Sequence, residues 1–279
     1  MQYLNQTIED NDIIIVDNGP GIQNNPIIEE TLPEFSFTLG INAKLFKNVL
    51  NVMHTIVDDA AIKVYPDRII ITAVDPAHVC ITEIEIPKRA SDYFKNTGEF
   101  SQYGIDLDSF KHVLKSVKKD TFLMLGFTEE KIKISLDNMT MEIKTLDASN
   151  MSQPKIPNLN LPGHFTLPVM DIYEVTRQCS LVSDHITIGV IGETIFFNAK
   201  SEEIGNTNIK YDNDQTYSPM KSKFPLDYLL NHYKSLKTLD KNSKSSCDIG
   251  TDYPIRINTD LENGVNVLYL LAPRIDNDY

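Results

Sequence analysis

The stretch Val57-Asp58-Asp59-Ala60-Ala61-Ile62-Lys63-Val64, with Asp67-Arg68-Ile69-Ile70-Ile71-Thr72-Ala73 after it, decides the fold because a similar stretch returns later in the chain. The second copy reads Val182-Ser183-Asp184-His185-Ile186-Thr187-Ile188 and then Glu193-Thr194-Ile195-Phe196-Phe197-Asn198-Ala199. Each copy is typical of a helix end that feeds two strands. The repeat predicts that one half of the chain is a duplicate of the other, which favours a ring or another pseudo-symmetric assembly.

A second repeated pair follows in the same order. Residues 105–118 read Ile-Asp-Leu-Asp-Ser-Phe-Lys-His-Val-Leu-Lys-Ser-Val-Lys, and residues 224–237 read Phe-Pro-Leu-Asp-Tyr-Leu-Leu-Asn-His-Tyr-Lys-Ser-Leu-Lys. Apolar residues recur at helical spacing in both segments, and lysines fall on the opposite stripe. Both segments are therefore predicted to be helices with one packed face and one wet, cationic face.

Residues 43–56 show the same periodicity. The apolar stripe consists of Leu45, Val49, Val52, Met53 and Ile56, and the polar stripe consists of Lys44, Lys47, Asn48, Asn51, His54 and Thr55. In any single helix, lysines on the polar stripe are typical of an ordinary solvated face. The segment that carries Asp171, Glu174 and Arg177 is also predicted to be a helix, the third along the chain.

Between the helices, the hydrophobic period drops to two. Strands are predicted at 132–136, 139–143, 255–257 and 265–269, with hairpin turns at 128–131 and 262–264. Each half is thus predicted to be an antiparallel sheet with two helices on one face, in the α+β class.

The domain boundaries follow from composition. Residues 148–162 contain three prolines and no periodicity, as expected for an interdomain linker. We predict a loosely ordered extension at 1–33, a first domain at 34–147, the linker at 148–162 and a second domain at 163–279.

Composition excludes several classes of protein. With 41% hydrophobic and 23% charged residues and no long apolar run, the chain is not expected to be a membrane protein. The start of the chain lacks the features of a secretion signal, so an intracellular location is expected. Cys80, Cys179 and Cys247 are too isolated for a disulfide frame or a metal site and are predicted to be buried thiols. No catalytic motif is present and the six histidines are scattered, so neither an enzyme nor a cofactor is expected.

The net charge of −13 argues against nucleic-acid binding when it is taken as a sum. Its distribution changes the argument, because the four predicted helices together carry net positive charge and the remainder of the chain carries the negative charge. An acidic body with mildly basic helices would repel DNA from one surface and accept it on another.

Four separated motifs resemble the sliding clamp family of replication, proliferating cell nuclear antigen. They are Val74-Asp75-Pro76-Ala77-His78-Val79, Leu181-Val182-Ser183-Asp184-His185, Gly250-Thr251-Asp252-Tyr253-Pro254 and Leu271-Ala272-Pro273-Arg274-Ile275-Asp276. The similarity runs in order from about Phe35 to the C-terminus. The last three motifs look more like archaeal clamps, whereas Ile204-Gly205-Asn206-Thr207-Asn208-Ile209-Lys210 looks eukaryotic.

The resemblance implies two tandem clamp domains per chain and three chains that close head to tail into a pseudo-sixfold ring. The helices would line the hole and face the phosphates of duplex DNA without reading its sequence. The resemblance indicates Lys47, Lys115, Arg177 and Lys234 for this surface, and periodicity alone adds Lys44, Lys111, Lys118 and Lys237. Asp171 and Glu174 depart from the more basic pattern of the family, so the third helix is expected to contribute little.

The resemblance also implies a pocket for a short client peptide that begins with Gln and ends in two aromatic residues. Its expected walls are Val74, His78, Val79, Ile156, Pro157, Pro254, Leu270, Ala272, Pro273, Arg274 and Ile275. Leu270 stands where many relatives have Tyr, which is expected to alter the selectivity for aromatic residues.

Ring closure in the family pairs an edge strand of one subunit with an edge strand of the next. The corresponding segments here are 138–147 and 206–212, with apolar contacts expected from Met141, Ile143, Ile209 and Tyr211. An alternative is that these four side chains pack within their own sheet. Met141 occupies a position that is often aromatic, so a weaker ring is one expectation.

The function expected from the resemblance is that of a DNA sliding clamp, which tethers polymerase, ligase and flap nuclease at replicating DNA and is opened by an ATP-dependent clamp loader. The compartment would be the cytoplasm or nucleoid for an archaeal protein and the nucleus for a eukaryotic or viral one. The alternatives are a subunit of a heterotrimeric or checkpoint-type clamp, a monomeric peptide-binding adaptor, and an enzyme whose site is assembled from distant residues.

Overall fold

The computed structural model describes residues 35–118, 121–151, 154–261 and 263–275. The prediction for the extension at 1–33 lies outside these residues. From Phe35 onward, the described residues form one compact unit.

The first half alternates strands and helices as its periodicity predicts. Its elements are β1 Phe37–Asn42, α1 Ala43–Met53, β2 Asp59–Val64, β3 Arg68–Val74, β4 Cys80–Pro87, β5 Tyr93–Asn96, β6 Ser101–Asp106, α2 Leu107–Val113, β7 Phe122–Phe127, β8 Lys131–Leu136 and β9 Met139–Lys144. Short 3₁₀ turns occupy Lys88–Ala90, Leu114–Ser116 and Ala148–Asn150.

The second half repeats the helices but joins several strands. Its elements are β10 Gly163–Pro168, α3 Val169–Cys179, β11 His185–Ser201, β12 Gly205–Pro225, α4 Leu226–Leu239, β13 Lys244–Ile249, β14 Ile255–Asp260 and β15 Asn266–Leu271. The described residues between Pro154 and Pro162 lie in neither helix nor strand.

The antiparallel sheets confirm the predicted α+β class, but they do not divide as one sheet per half. One sheet has five strands in the order β5-β1-β7-β8-β9, and β11 pairs with β12 alone. The third sheet has eight strands in the order β10-β13-β14-β15-β4-β3-β2-β6. It runs through both halves because β15 pairs with β4, from Asn266 opposite Glu85 to Leu271 opposite Cys80.

Backbone hydrogen bonds at the helix starts repeat between the halves. Leu107 N at the start of α2 donates to Asp58 O at 2.9 Å, and Leu226 N at the start of α4 donates to Asp184 O, also at 2.9 Å. Since Asp58 and Asp184 lie in the two copies of the repeated stretch, the duplication predicted from the sequence is present in the fold.

The halves start their helices differently. Asn42 and Asp106 cap α1 and α2 through their side chains, whereas Pro168 and Pro225 precede α3 and α4 without a side-chain cap. Side-chain oxygens at a helix start satisfy amides that have no partner within the helix. Proline at the boundary instead restricts the backbone dihedral φ and adds no amide donor.

Two expectations about the helices are wrong in detail. The helix expected to extend to Lys118 ends at Val113, continues as a 3₁₀ turn over Leu114–Ser116, and leaves Lys118 beyond it. Asn48, expected on the wet stripe, is only 6% exposed. Its amide donates to Thr238 O at 3.1 Å, because α1 packs against α4.

The four helices form a row in the order α2, α1, α4, α3, in which each helix contacts the next. Their buried faces contribute residues such as Phe46, Phe110, Val175 and Tyr233 to a continuous apolar core. Exposed lysines of α1, α2 and α4 lie in this row, so the fold brings cationic residues of both halves into one layer.

Candidate nucleic-acid and peptide interfaces

Most of the cationic residues expected to face DNA are exposed in the helix row. Lys44, Lys111, Lys115, Lys118 and Lys234 are exposed, and Lys47 is partly exposed. The ammonium of Lys47 donates to Lys115 O at 3.1 Å, which links α1 to the turn after α2. Lysines on such a surface can attract phosphates at close range.

The two remaining cationic residues are engaged within the chain. Arg177 donates from Nε and Nη2 to Glu174 Oε2 at 2.9 Å and 2.8 Å. The ammonium of Lys237 lies 3.5 Å from the centroid of the Tyr173 ring. Both contacts involve side chains of α3.

Backbone hydrogen bonds bring the loop after β3 next to the C-terminal segment. Ala272 N donates to Val79 O at 2.8 Å, in continuation of the pairing of β15 with β4. Leu270 lies opposite Ile81 in that pairing and is 6% exposed, so it lies beneath this surface. His78 and Ile275 are exposed, and Ile275 is 67% exposed.

The linker also reaches this surface. The Arg256 guanidinium donates to Pro157 O at 3.3 Å, and Arg256 lies opposite Leu270 in the ladder between β14 and β15. Pro254 immediately precedes β14. Val74, Ile156, Pro254, Ala272 and Pro273 are partly exposed, and Pro157 is exposed.

Arg274 of the expected pocket contacts the β11–β12 sheet. Its backbone N donates to Lys223 O at 2.7 Å, and its Nη1 lies 2.5 Å from His185 Nε2. Both partners belong to the β11–β12 sheet. This contact anchors the C-terminal segment to the second half.

The segments expected to close a ring are both sheet edges. β9 is the last strand of the five-stranded sheet, and the Gly205–Asp212 part of β12 pairs only with β11 among the described strands. Met141, Ile143, Ile209 and Tyr211 are half-buried and pack against the core of their own chain. Burial raises the pKa of Tyr211, and the charge of Asp171 adds to the effect. The polar side chains between them along each strand are exposed.

A buried carboxylate in the loop after β3 was given no role in the sequence analysis. Asp75 is 2% exposed, and the hydroxyl of Tyr228 on α4 donates to its Oδ2 at 2.8 Å. A cleft of about 310 Å³ opens beside this pair, between Thr55 and Asn231. Asp75 lies inside a motif quoted above, but no local pattern pairs it with a tyrosine on a distant helix.

One group of side chains among the described residues has the composition of a metal site. His54, Asp58 and Asp108 lie within 4.8 Å of one another, and His54 Nε2 is 3.1 Å from Asp108 Oδ1. Both carboxylates are exposed. The contact joins the end of α1 to the start of α2.

Comparison with known proteins agrees with this architecture. The family model described as proliferating cell nuclear antigen, N-terminal domain, matches residues 37–155. The DNA polymerase sliding clamp of Methanocella arvoryzae is 33% identical over 252 residues, which cover 87% of this chain and 100% of that protein. The DNA polymerase sliding clamp of Methanococcoides burtonii is 31% identical over 250 residues, with the same coverage. These archaeal relatives confirm the predicted archaeal likeness.

Solved structures show the same fold. An A. fulgidus PCNA, solved with the C-terminal region of FEN-1, superposes with a TM-score of 0.80 at 23% identity and covers 87% of this chain and 100% of its own. PCNA from Entamoeba histolytica gives a TM-score of 0.77 at 20% identity, with 86% and 100% coverage. A PCNA2–PCNA3 complex from Sulfolobus tokodaii gives 0.74 at 22% identity, with 85% and 99% coverage. Sequence and fold agree, and the chain belongs to the sliding clamp family of proliferating cell nuclear antigen.

Proposed function

We propose that three copies of this chain close into a ring around duplex DNA and tether replication and repair enzymes to it. The observation that carries the proposal is the junction between the two halves. Within the chain, the last strand of the second half, β15, pairs with β4 of the first half. The equivalent strands, β9 and the Gly205–Asp212 part of β12, have no partner at their outer edges among the described strands.

The repeat identifies which strands are equivalent. Ile69, Ile71 and Ala73 are buried on β3, as are Ile195, Phe197 and Ala199 on β11. Ile71 pairs with Ile84 on β4, and Phe197 pairs with Ile209 on β12. Ile84 and Ile209 therefore occupy equivalent positions. The same comparison of β8–β9 with β14–β15 makes Met141 equivalent to Tyr269.

These equivalences give a register for the contact between copies. Tyr269 lies opposite Thr82 within the chain, and Val267 lies opposite Ile84. In the proposed ring, Met141 of one copy lies opposite Thr207 of the next, and Met139 lies opposite Ile209. Two unpaired edges would thereby be satisfied by backbone hydrogen bonds, which removes an aggregation hazard. Successive head-to-tail contacts of this kind close into a ring.

The helix row supports the DNA-binding part of the proposal. Its exposed ammonium groups would face the phosphates at Lys44, Lys47, Lys111, Lys115, Lys118 and Lys234, with smaller contributions from Arg177 and Lys237. The acidic remainder of the chain would be repelled by DNA, which favours this one face. Contacts restricted to phosphates allow sliding because they carry no sequence information.

The surface formed by the loop after β3, the linker and the C-terminal segment supports a client-peptide pocket. The A. fulgidus relative was solved with a segment of FEN-1, and we extend that partner class to this chain. Polymerase, ligase and flap nuclease would bind through short peptide motifs, and an ATP-dependent loader would open the ring. This role at replicating DNA requires no catalytic chemistry of the chain. Among the described residues, no helix has the length and apolar character needed to cross a membrane.

The division into domains at 34–147 and 163–279, with the linker at 148–162, belongs to the same proposal. The repeated helix starts and strand equivalences support it. The two domains would be repeats of one ancestral unit. Because the eight-stranded sheet crosses the division, shared strand pairing would hold them together.

The test is retention on DNA of different topology. The purified chain, loaded onto a nicked circular plasmid by a clamp-loading ATPase, should remain bound during gel filtration and be lost once the plasmid is linearised. Equal retention on both forms would show binding without encirclement.

The mass in solution, measured by light scattering across a dilution series, separates the alternatives. A species of three subunits supports the self-closing ring. A monomer at all concentrations would contradict it and favour either a subunit of a heteromeric clamp or a peptide-binding adaptor. The PCNA2–PCNA3 complex among the similar structures makes the heteromeric case a specific alternative.

A further inference from the structure

We propose that Tyr228 and Asp75 are positioning residues that hold the His78–Val79 wall of the client pocket in place. The proposal rests on the peptide-binding role proposed above. It assigns a role to a residue of α4, a helix that also carries Lys234 and Lys237.

Asp75 organises the loop between β3 and β4 from inside. Its Oδ1 accepts hydrogen bonds from Val79 N at 2.8 Å and Cys80 N at 2.6 Å. Its Oδ2 accepts from Ala77 N at 3.1 Å. The backbone of Asp75 closes the same turn, because its O accepts from His78 N at 2.9 Å and its N donates to Cys80 O at 3.0 Å.

The loop needs this support because it holds a conformation that side chains rarely adopt. His78 has a φ of 58°, in the left-handed region, and no glycine relieves the strain. Of the client-pocket residues, His78 and Val79 lie in the part of the loop that these hydrogen bonds define. Loss of the carboxylate contacts would release the conformation on which the pocket wall depends.

Tyr228 completes the coordination of the carboxylate. Its hydroxyl gives Oδ2 a second donor at 2.8 Å, and the donors around Asp75 are otherwise backbone amides. A buried carboxylate that lacks a cationic partner depends on such donors, since an unsatisfied buried charge is costly. Burial, the hydrogen bond to Asp75 and its charge all raise the pKa of Tyr228, so the hydroxyl keeps its proton for donation at neutral pH.

Tyr228 is itself held in position by a residue of β15. Tyr269 on β15 donates its hydroxyl to Tyr228 O at 3.2 Å, and β15 is the strand that pairs with β4. The start of α4, the start of β4 and the C-terminal strand thus all take part in holding the loop. The hydroxyl of Tyr228 contacts the carboxylate itself, and it can be removed without changing the backbone.

The experiment compares Tyr228→Phe with wild type and with Tyr103→Phe. Tyr103 is a matched control because it is also a partly buried hydroxyl, 2.7 Å from Ser36 Oγ, and it packs with Phe37 and Phe127 in the first half. The probe is a fluorescent synthetic peptide with an initial Gln and two aromatic residues at its end, and its affinity is measured by anisotropy. Amide hydrogen exchange at Val79 and Cys80 reports on the loop in the absence of peptide.

Tyr228→Phe should weaken peptide binding by about tenfold and accelerate exchange at both amides by a similar factor, whereas Tyr103→Phe should change neither. Unchanged exchange and affinity in Tyr228→Phe, with peptide binding by wild type intact, would overturn the positioning role alone. Equal weakening by both variants would overturn it as well, because that result indicates a general loss of stability. Failure of the wild-type protein to bind the peptide would overturn the client pocket itself, and the positioning role with it.

Discussion

His232 is an unusual buried residue of the second half. It lies on α4 with no exposed surface, and neither ring nitrogen has a hydrogen-bond partner among the described residues. Its ring stacks on Tyr269, with 3.9 Å between the ring centroids. Burial lowers the pKa of His232 to about 3, because a charged imidazolium would lose its hydration there.

The free energy of unfolding should therefore fall as the pH is lowered, within a predictable window. The unfolded chain protonates His232 near its ordinary pKa of 6.5, whereas the folded chain resists protonation down to about 3. The contribution is intact above pH 6.5 and declines by about 1.4 kcal/mol per pH unit below it. Between pH 7.5 and pH 5, the free energy of unfolding of wild type should fall by roughly 2 kcal/mol more than that of His232→Phe.

Urea unfolding at the two pH values measures this difference. Phe keeps an aromatic ring against Tyr269 but cannot bind a proton. Parallel losses of stability in the two proteins would mean that His232 does not carry the effect.

The environment of each cysteine determines the pKa and the reactivity of its thiol. Cys80, Cys179 and Cys247 are buried free thiols, which confirms the prediction made from their isolation in the sequence. Burial raises the pKa of Cys80 and Cys247 to about 12 and that of Cys179 to about 11. The reactive thiolate is therefore scarce at neutral pH.

At the scale of elements, α3 and α4 differ in the cations that they expose. The Arg177 guanidinium on α3 is neutralised by Glu174, whereas Lys234 on α4 is exposed without an ion pair among the described residues. The two helices of the second half therefore present different charge. The difference comes from the ion pair between Arg177 and Glu174, since both helices show the expected amphipathic pattern.

Substitutions on these helices should change the salt dependence of DNA binding unequally. Lys234→Ala should lower the slope of log affinity against log salt by about one for each lysine that contacts a phosphate. Arg177→Ala should change the slope much less, and Glu174→Gln should steepen it by releasing the guanidinium. Fluorescence titration with random-sequence duplex across a salt series gives the slopes. Equal effects of the two alanine variants would contradict the assignment.

At the scale of the whole molecule, the duplicated halves predict which residues of neighbouring copies lie opposite each other in the proposed ring. Leu268 lies opposite Glu83 within the chain, and the equivalent residues are Thr140 and Asn208. Both are exposed, so cysteines at these positions should leave the fold intact. The native thiols are buried and would not compete for oxidation.

The variant carrying Thr140→Cys and Asn208→Cys should form disulfides between copies under mild oxidation. A covalent trimer is expected on a non-reducing gel, because directly opposite residues meet the distance limits of a disulfide. Thr140→Cys with Asn206→Cys is the matched control, since it moves one cysteine two residues along the same face. Efficient cross-linking in both variants would contradict the register, and its absence in both would contradict the edge pairing.

The molecule also shows how an acidic chain can present a cationic face. Its net charge is −13, yet α1, α2 and α4, which carry exposed or partly exposed lysines, pack in a single row together with α3. Segregation of charge by the fold gives one face an attraction that the sum of charges conceals. Membership of the sliding clamp family is consistent with that segregation.

The sequence by itself determined the elements, the duplication and the family. Helical and alternating periodicity depends on neighbours a few residues apart, so α1, α3, α4 and the strands β8, β9, β14 and β15 were predictable from local pattern. The four motifs identified the family because their order and spacing survive in the linear chain. The burial of the three cysteines was predictable from their isolation in the sequence.

Only the tertiary structure decided which elements meet. The eight-stranded sheet through both halves, the burial of Asn48 against α4 and the hydrogen bond from Tyr228 to Asp75 join residues far apart in the chain. No periodicity encodes such contacts, because they depend on the relative placement of finished elements. The loss of Lys118 from α2 and the turn of Arg274 toward His185 have the same origin. Local pattern sets the hydrogen bonds within an element, and packing between elements selects the partners of the side chains that remain.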